Sequence, residues 1–522
     1  MAQSNQRILW ADDEIDMLRP HILYLKGKGY EVEAVANGED AVKSAESKSF
    51  DIVLLDEMMP GMGGLATLEA IKQRHPNLPV IMITKNEEEN LMNMALGRQI
   101  ADYLTKPVNP SQIHLAIKKV FESEALQRSQ RTRDYVAEFN RVLSLRHGAM
   151  GWQDWAELFQ RVVGWDLEFR QIQEESLRQS HQEQKGQLNR EFARFVEDHY
   201  AGWVQKPFGE RPPLSVDIAP HWVLPHLKAG RRVALVVIDC MRLDQWSILE
   251  PLLRPYFDIK TDLFMSILPT ATPYSRNAIF SGLYPNEIAR KYPDWWLENA
   301  PKEDSRNRYE KELMDKLLEA EGIPTAGHRY LKIFTPQESN NLRKKINTLG
   351  EATFLSMVFN FVDMLAHGRS ESELLQELAP DEEALRGVLQ SWFQHSALLE
   401  VLRVLSRQDT VVVVTTDHGL VQVKRSSEVL GNRDTSTSIR YKYGDNLGVN
   451  EREALHIKKP EEYKLPGDGL IKHYIVAKEN FYFVYPTNFH QYERHFRNSF
   501  QHGGISMEEM ILPVATLYPR SR

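Results

Sequence analysis

The chain has 522 residues, too many for one hydrophobic core, so three or four domains are expected. Its 42% hydrophobic and 26% charged content is ordinary for a globular protein, and a net charge of −8 argues against a general nucleic-acid coat. One cysteine, Cys240, excludes an internal disulfide. No apolar run approaches the roughly 20 residues that span a bilayer, and the N-terminus carries no signal-like apolar stretch. A cytoplasmic protein without membrane insertion is expected.

From residue 7 to 120 strand and helix signals alternate. Arg7–Ala11, Asp51–Leu55, Pro79–Ile83 and Asp102–Leu104 are predicted strands, with a shorter one at Glu31–Ala34. Amphipathic segments lie at 14–28, 38–47, 64–74, 89–98 and 110–121. This pattern predicts an open doubly wound sheet whose ligands gather at the carboxyl ends of the strands. Those ends carry Asp12, Asp13, Asp56, Thr84 and Lys106. Clustered carboxylates call for a hard divalent cation such as Mg²⁺, and Lys106, aimed by Pro107, is suited to hold phosphoryl oxygens.

The stretches Ala11-Asp-Asp-Glu14, Leu55-Asp-Glu-Met-Met-Pro-Gly61, Ile83-Thr84 and Leu104-Thr-Lys-Pro107 resemble response-regulator receiver domains. The resemblance implies that Asp56 is the phosphoacceptor, that Asp12 and Asp13 organise Mg²⁺ with it, and that Thr84 and Tyr103 form the switch pair. The receiver is assigned to residues 1–121.

Residues 122–206 are rich in Gln, Arg, Glu and Leu and lack proline, which favours long helices. Val136, Phe139, Val142 and Leu143 fit helical spacing, as do Trp152, Trp155, Leu158 and Phe159, and later Leu188, Phe192, Phe195 and Val196. Leu145-Arg-His-Gly148 marks an expected break. A small helical bundle is predicted, with the aromatic stripe in its core. No helix-turn-helix with a basic recognition helix is found, so no direct sequence-specific DNA binding is expected.

A proline-rich entry, Gly209-Glu-Arg-Pro-Pro213, opens a third region, 207–522, again of α/β character. Asp239 ends the apolar run Val233–Ile238, and Asp417-His418 follow Val411–Val414. Asp363 and His367 are four apart in a predicted helix and share one face. His502 lies in Phe500-Gln-His-Gly-Gly504. This ordered set of Asp and His donors suits zinc, and three protein ligands per ion leave a position for water or substrate. Thr272, in Pro269-Thr-Ala-Thr-Pro273, is available as a nucleophile near a predicted helix N-terminus, where N–H groups favour phosphate oxygens. Hydrolysis of phosphate esters is the reaction this pattern suggests. Cys240 is expected to be a small buried residue.

The same ordered set resembles the alkaline phosphatase superfamily, and within it the PglZ-type domains, across roughly residues 209–520. The resemblance implies one zinc ion on Asp363, His367 and His502, and a second on Asp239, Asp417 and His418 that also meets the Thr272 oxygen. Ala271-Thr272-Pro273 lacks the Cys/Ser-x-Pro-x-Arg pattern of the sulfatases in that superfamily. A threonine nucleophile resembles the nucleotide pyrophosphatase/phosphodiesterase branch, which implies diesters, including nucleotides and oligonucleotides. In the insert before His502, Arg440 and Lys442 are candidates to bind phosphate and Tyr441 or Tyr443 to stack on a base. The alternative there is a twisted strand with alternating exposed side chains.

Receiver, helical bundle and PglZ-type domain in this order resemble the PorX-type response regulators linked to type IX secretion. That likeness implies a sensor histidine kinase partner, contact with a sigma factor or secretion component, and homodimerisation on phosphorylation. The expected fold class is α/β, with a doubly wound receiver, a helical connector and an alkaline-phosphatase-like domain. A rival expectation is a signalling scaffold whose C-terminal domain binds zinc for stability and acts by docking partners.

Overall fold

A computed structural model describes residues 6–85, 100–145, 150–169, 175–296, 306–431, 438–467, 472–486 and 489–520. The chain divides into two compact units, Met1–Arg141 and Val142–Arg522.

In the first unit, β1 (Arg7–Ala11), β2 (Glu31–Val35), β3 (Ile52–Asp56), β4 (Val80–Thr84) and β5 (Asp102–Thr105) form a parallel sheet in the order β2-β1-β3-β4-β5. The runs of β1, β3 and β4 are apolar because both faces are covered, and residues 8–10, 52–55 and 80–83 of those strands are buried. Helices Arg19–Gly27, Gly38–Ser47 and Gly64–Arg74 match three of the expected amphipathic segments. The one expected at 89–98 lies outside the described residues, as does most of the break at 145–148. The last helix differs from expectation. It runs from Pro110 to Leu145, far past residue 121, since neither glycine nor proline interrupts it.

The second unit begins with helices Trp152–Glu168 and Glu175–Trp203. Their stripe of Trp155, Leu158, Phe159, Leu188, Phe192 and Val196 is buried in one core with Val142 and with residues of the following domain, such as Met265 and Tyr274. Most of the stripe is therefore core, as its spacing predicts, while Trp152 and Phe195 are partly buried against it and Val136 is exposed.

The main sheet of this unit contains β6 (Val233–Ile238), β7 (Phe257–Met265), β8 (His328–Ile333), β9 (Phe354–Phe359), β10 (Val411–Thr415) and a final strand, Ile511–Pro519. Its order is β7, Ile511–Pro519, β10, β6, β9, β8. The four strands β10, β6, β9 and β8 are parallel, and Ile511–Pro519 runs antiparallel to its neighbours β10 and β7. Between β10 and the last strand the chain inserts β11 (Val421–Gln422), β12 (Arg425–Leu430), β13 (Tyr441–Asp445), β14 (Gly448–Val449), β15 (Ala454–Ile457), β16 (Lys472–Ala477), β17 (Phe481–Val484) and β18 (Phe500–Gln501). The pairing of β11 with β18 brings the segments after His418 and before His502 side by side. No helix among the described residues is long and apolar enough to cross a membrane.

Candidate functional site

Each unit collects its chemistry at the carboxyl edge of its sheet. In the first, strand order reverses between β1 and β3, which opens a crevice at that edge. Asp12 follows β1 and Asp56 ends β3. Ligand oxygens of Asp12, Asp13 and Asp56 lie within 4.8 Å of one another, a spacing that suits one divalent cation. Lys106 Nζ lies 3.0 Å from Asp12 Oδ2 and 3.1 Å from Asp56 Oδ1. Burial raises the Asp56 carboxyl above its ordinary range, while Lys106 works against that rise. Thr84 is buried at the end of β4, whereas Tyr103 on β5 is 48% exposed.

The second site is built on β6, β10 and the helix Phe361–Glu371 that leaves β9. Asp239 follows β6 and accepts a place in the sheet edge through its N–H, which donates to Phe359 O at 2.8 Å. Asp417 and His418 follow β10. Asp363 and His367, one turn apart, face each other, with His367 Nε2 3.1 Å from Asp363 Oδ1. His502 completes this group: its Nε2 is 3.2 Å from His367 Nε2 and 3.8 Å from Asp363 Oδ1. In the other group His418 Nε2 lies 3.9 Å from Asp239 Oδ1 and 3.7 Å from Asp417 Oδ2. Donor atoms within each trio are all within 4.8 Å of one another.

Thr272 is the first residue of the helix Thr272–Ser281, and its Oγ1 lies 3.0 Å from His418 Nε2. His418 Nδ1 is 3.1 Å from Gly419 O, which only accepts, so Nδ1 carries the proton and Nε2 presents its lone pair to the site. Burial lowers the His418 pKa and keeps the ring neutral, the form that ligates metal.

The donor set fits a pair of cations. Asp239 Oδ1 and Asp417 Oδ2 are buried without a hydrogen-bond partner, a costly state for a carboxylate that a bound cation would relieve. Burial raises both carboxyls, Asp239 well above its usual range with Asp417 adding to the effect, and Arg276 opposes each rise. Burial would raise Asp363 too, but the hydrogen bond with His367 and the nearby His502 and His418 hold it below the usual range.

Three neighbours escape a reading of the sequence. Arg276, one helical turn after Thr272, pairs with Asp239, lies 3.7 Å from Asp417 Oδ2, and is held by Glu310 at 2.6 Å. Its only sequence signal is the i,i+4 spacing from Thr272. Asn307 Nδ2 donates to Thr272 O at 3.2 Å and has no local signal at all. Cys240 is buried as expected, yet its Sγ sits 3.4 Å from Asp363 Oδ1 and 3.5 Å from His418 Nδ1, between the two donor groups.

The insert corrects the expectation for Arg440 and Lys442. Both are buried. Arg440 is engaged by Glu509 at 2.5 and 3.2 Å and by the carbonyls of Phe481 and Glu479, so its donors are occupied by the protein. Glu509 also accepts from Gly504 N at 2.8 Å, which makes the pair a brace behind the His502 loop. Lys442 Nζ lies over the Tyr485 ring at 4.9 Å, and burial lowers its pKa to about 8. Tyr441 packs edge-on against Tyr274, and Tyr443 OH accepts from Arg306 at 2.8 Å. Tyr441, Lys442 and Tyr443 are buried in succession, so the strand does not alternate exposed side chains either.

Comparison with known proteins divides the chain into three stretches, the middle one crossing the boundary between the two compact units. The family model of the BREX system PglZ alkaline phosphatase-like domain matches residues 218–517, that of the response regulator receiver domain 8–118, and that of the PorX response regulator linker domain 125–204. Among curated proteins, the alkaline phosphatase synthesis transcriptional regulatory protein PhoP of Bacillus subtilis (strain 168) is 31% identical over 118 residues, covering 22% of this chain and 48% of PhoP. The transcriptional regulatory protein ResD of the same organism is 32% identical over 119 residues, 23% of this chain and 49% of ResD. The chain thus spans about half the length of these two relatives. Among solved structures, a CheY-like receiver domain protein from Methanospirillum hungatei JF-1 is 32% identical, covering 23% of this chain and 98% of that one, with a TM-score of 0.22.

Proposed function

The chain belongs to the PglZ alkaline phosphatase-like family, carried behind a response regulator receiver and a PorX-type linker, and from that membership we propose a phosphorylation-controlled, zinc-dependent phosphodiesterase or phosphatase. The protein is a two-component regulator with a phosphatase-like output domain. The finer reading assigns one zinc ion to Asp363, His367 and His502, and another to Asp239, Asp417 and His418 beside Thr272. The observation that carries it is the approach of Thr272 Oγ1 to His418 Nε2 at 3.0 Å, next to two buried carboxylate oxygens without a hydrogen-bond partner.

The residues divide the work as follows. Thr272 supplies the oxygen that attacks phosphorus, forming a covalent phospho- or nucleotidyl-threonine while the leaving alkoxide departs. Its place at a helix N-terminus sets the positive end of the helix dipole beside the phosphoryl oxygens. Asn307 holds the Thr272 carbonyl, and Arg276 orients Asp239. When bound, the zinc ions supply charge neutralisation and acidify the threonine hydroxyl and the water that later releases the product. The His367 side chain is 47% exposed, which gives that water and the substrate an approach from solvent.

On the substrate, the Pro-Thr-x-Thr context of Thr272 supports diesters, with nucleotides or oligonucleotides as the class to search. In the receiver, a sensor histidine kinase phosphorylates Asp56, Asp12 and Asp13 hold Mg²⁺ with it, and Lys106, Thr84 and Tyr103 respond. Homodimerisation, a role in type IX secretion and contact with a sigma factor or secretion component complete the reading.

The test is hydrolysis of a chromogenic phosphodiester beside its monoester by zinc-loaded wild type and Thr272→Val. Diester turnover is expected, falling by at least about 10³-fold in the variant and vanishing on chelation. A zinc-loaded wild type that turns over neither ester, or a variant as active as wild type, sinks the reading.

A further inference from the structure

One turn of the second linker helix, Glu175–Trp203, is tied to loops that carry three of the candidate metal ligands. Lys185 and Asn189, four residues apart, share a helix face and are both buried. Lys185 Nζ lies 3.0 Å from Asp166 on the preceding helix, 3.0 Å from Glu382 Oε2 and 3.2 Å from Glu508 Oε1. Glu382 holds Arg242 Nη1 at 2.8 Å through its other oxygen, and Arg242 is the third residue after Asp239.

Asn189 reaches the other side of the site. Its Oδ1 accepts from Met507 N at 2.8 Å and its Nδ2 donates to Glu508 Oε2 at 2.9 Å. That turn, Met507–Met510, follows His502 closely and touches the next loop as well. Glu509 O accepts from Gly419 N at 3.1 Å, beside His418. Gly419 is pressed so closely there that a Cβ would meet Glu508 O at 1.9 Å. Two short chains of contacts therefore lead from one linker turn to the Asp239, His418 and His502 loops.

We propose that Lys185 and Asn189 are positioning residues for the metal centre, so that the seat of the linker helix sets the spacing of those three ligand loops. The inference rests on the paired-metal reading above and adds to it the element through which the site is controlled. A buried cation among three carboxylates must stay paired, since an unpaired buried charge is costly. The helix therefore holds a discrete position instead of sliding, and a shift of it is felt at both donor groups. Burial alone would depress Lys185, but Asp166, Glu382 and Glu508 outweigh it and raise the ammonium pKa, which keeps the charge in place.

Zinc affinity tests this without relying on turnover. Wild type, Lys185→Met and Asn189→Ala, all as full chains, are titrated with zinc against a chromogenic chelator. Visible spectra of the Co²⁺-substituted proteins report ligand geometry. Asn189→Ala leaves every charge of the ion cluster in place and keeps a folded protein available if Lys185→Met does not fold. The expected result is zinc binding weakened by about 10-fold in Asn189→Ala, more in Lys185→Met, with altered Co²⁺ bands in both. Wild-type affinity and an unchanged Co²⁺ spectrum in Asn189→Ala overturn the proposal, even if the melting temperature falls. A wild type that binds no zinc overturns the paired-metal reading and this proposal with it, so the two failures are told apart.

Discussion

Both units put clustered carboxylates at the carboxyl ends of parallel strands, but they balance the charge differently. At the receiver edge Lys106 spans Asp12 and Asp56, and Asp13 faces solvent. At the C-terminal edge Asp239, Asp417 and His418 are buried, and one guanidinium, Arg276, is shared among Asp239, Asp417 and Glu310. A half-open cluster with its own lysine suits a cation and a phosphoryl group that come and go. A closed cluster whose buried oxygens lack hydrogen-bond partners suits resident ions. The same fold logic thus yields a half-open cluster in one unit and a closed one in the other, and burial makes the difference.

The largest effect expected from this contrast is a double dissociation. Asp239→Asn removes a carboxylate from the closed cluster, and should cut zinc binding and ester hydrolysis by about 10³-fold or more. Phosphorylation of Asp56 by a small phosphodonor should be untouched. Asp12→Asn should do the reverse, abolishing Mg²⁺-dependent phosphorylation while leaving zinc content and basal hydrolysis in place. Metal analysis and acid-labile phosphate readings on both variants check this. Retention of tight zinc binding by Asp239→Asn would break the comparison, because the closed cluster would then need no resident ion.

The next effect concerns how the closed cluster is braced. Arg440→Met leaves Glu509 buried and unpaired, which should cost about 3–5 kcal/mol of stability. Denaturant unfolding of the C-terminal unit measures this, and the surviving folded fraction should keep the wild-type KM. A raised KM without lost stability would return Arg440 to the substrate. Such supports mark the limit of what sequence displays. Apolar runs ending in Asp239 and Asp417, and the four-residue step from Asp363 to His367, are local patterns, so they are legible. The same holds for the receiver strands and the aromatic stripe of the linker. Arg440 looks like a binding residue because its partner, Glu509, lies 69 positions away. Arg276 is visible only as spacing from Thr272, and the proximity of Asn307 to Thr272 is set by packing alone. Pairing across the fold decides whether a charge serves substrate or scaffold, and that pairing leaves no mark in the local sequence.

The smallest effect lies in the sign of the acid response. Burial raises Asp56 above the ordinary carboxylate range despite Lys106. Its folded form binds a proton more readily than the unfolded form, so its contribution favours folding in acid and falls away as pH rises through the folded pKa. Glu382 has the opposite sign. Burial alone would raise it, but Arg242 and Lys185 hold it well below 4.5. Its stabilising contribution is complete above the unfolded value and is lost as pH falls through the folded one. Hydrogen exchange of the intact chain, followed peptide by peptide from about pH 6 to about pH 4, separates the units. Asp56→Asn should protect receiver peptides most at the upper end, with the advantage shrinking in acid. Glu382→Gln should weaken protection of the linker and PglZ peptides at the upper end, and its deficit should also shrink towards acid, because the unfolded wild type takes up a proton there while the folded one keeps its charge. A Glu382→Gln deficit that grows in acid would mean that this carboxyl is protonated in the folded protein. Lys185 would then lack one of its three anions, and its charge would have to be held by Asp166 and Glu508 alone.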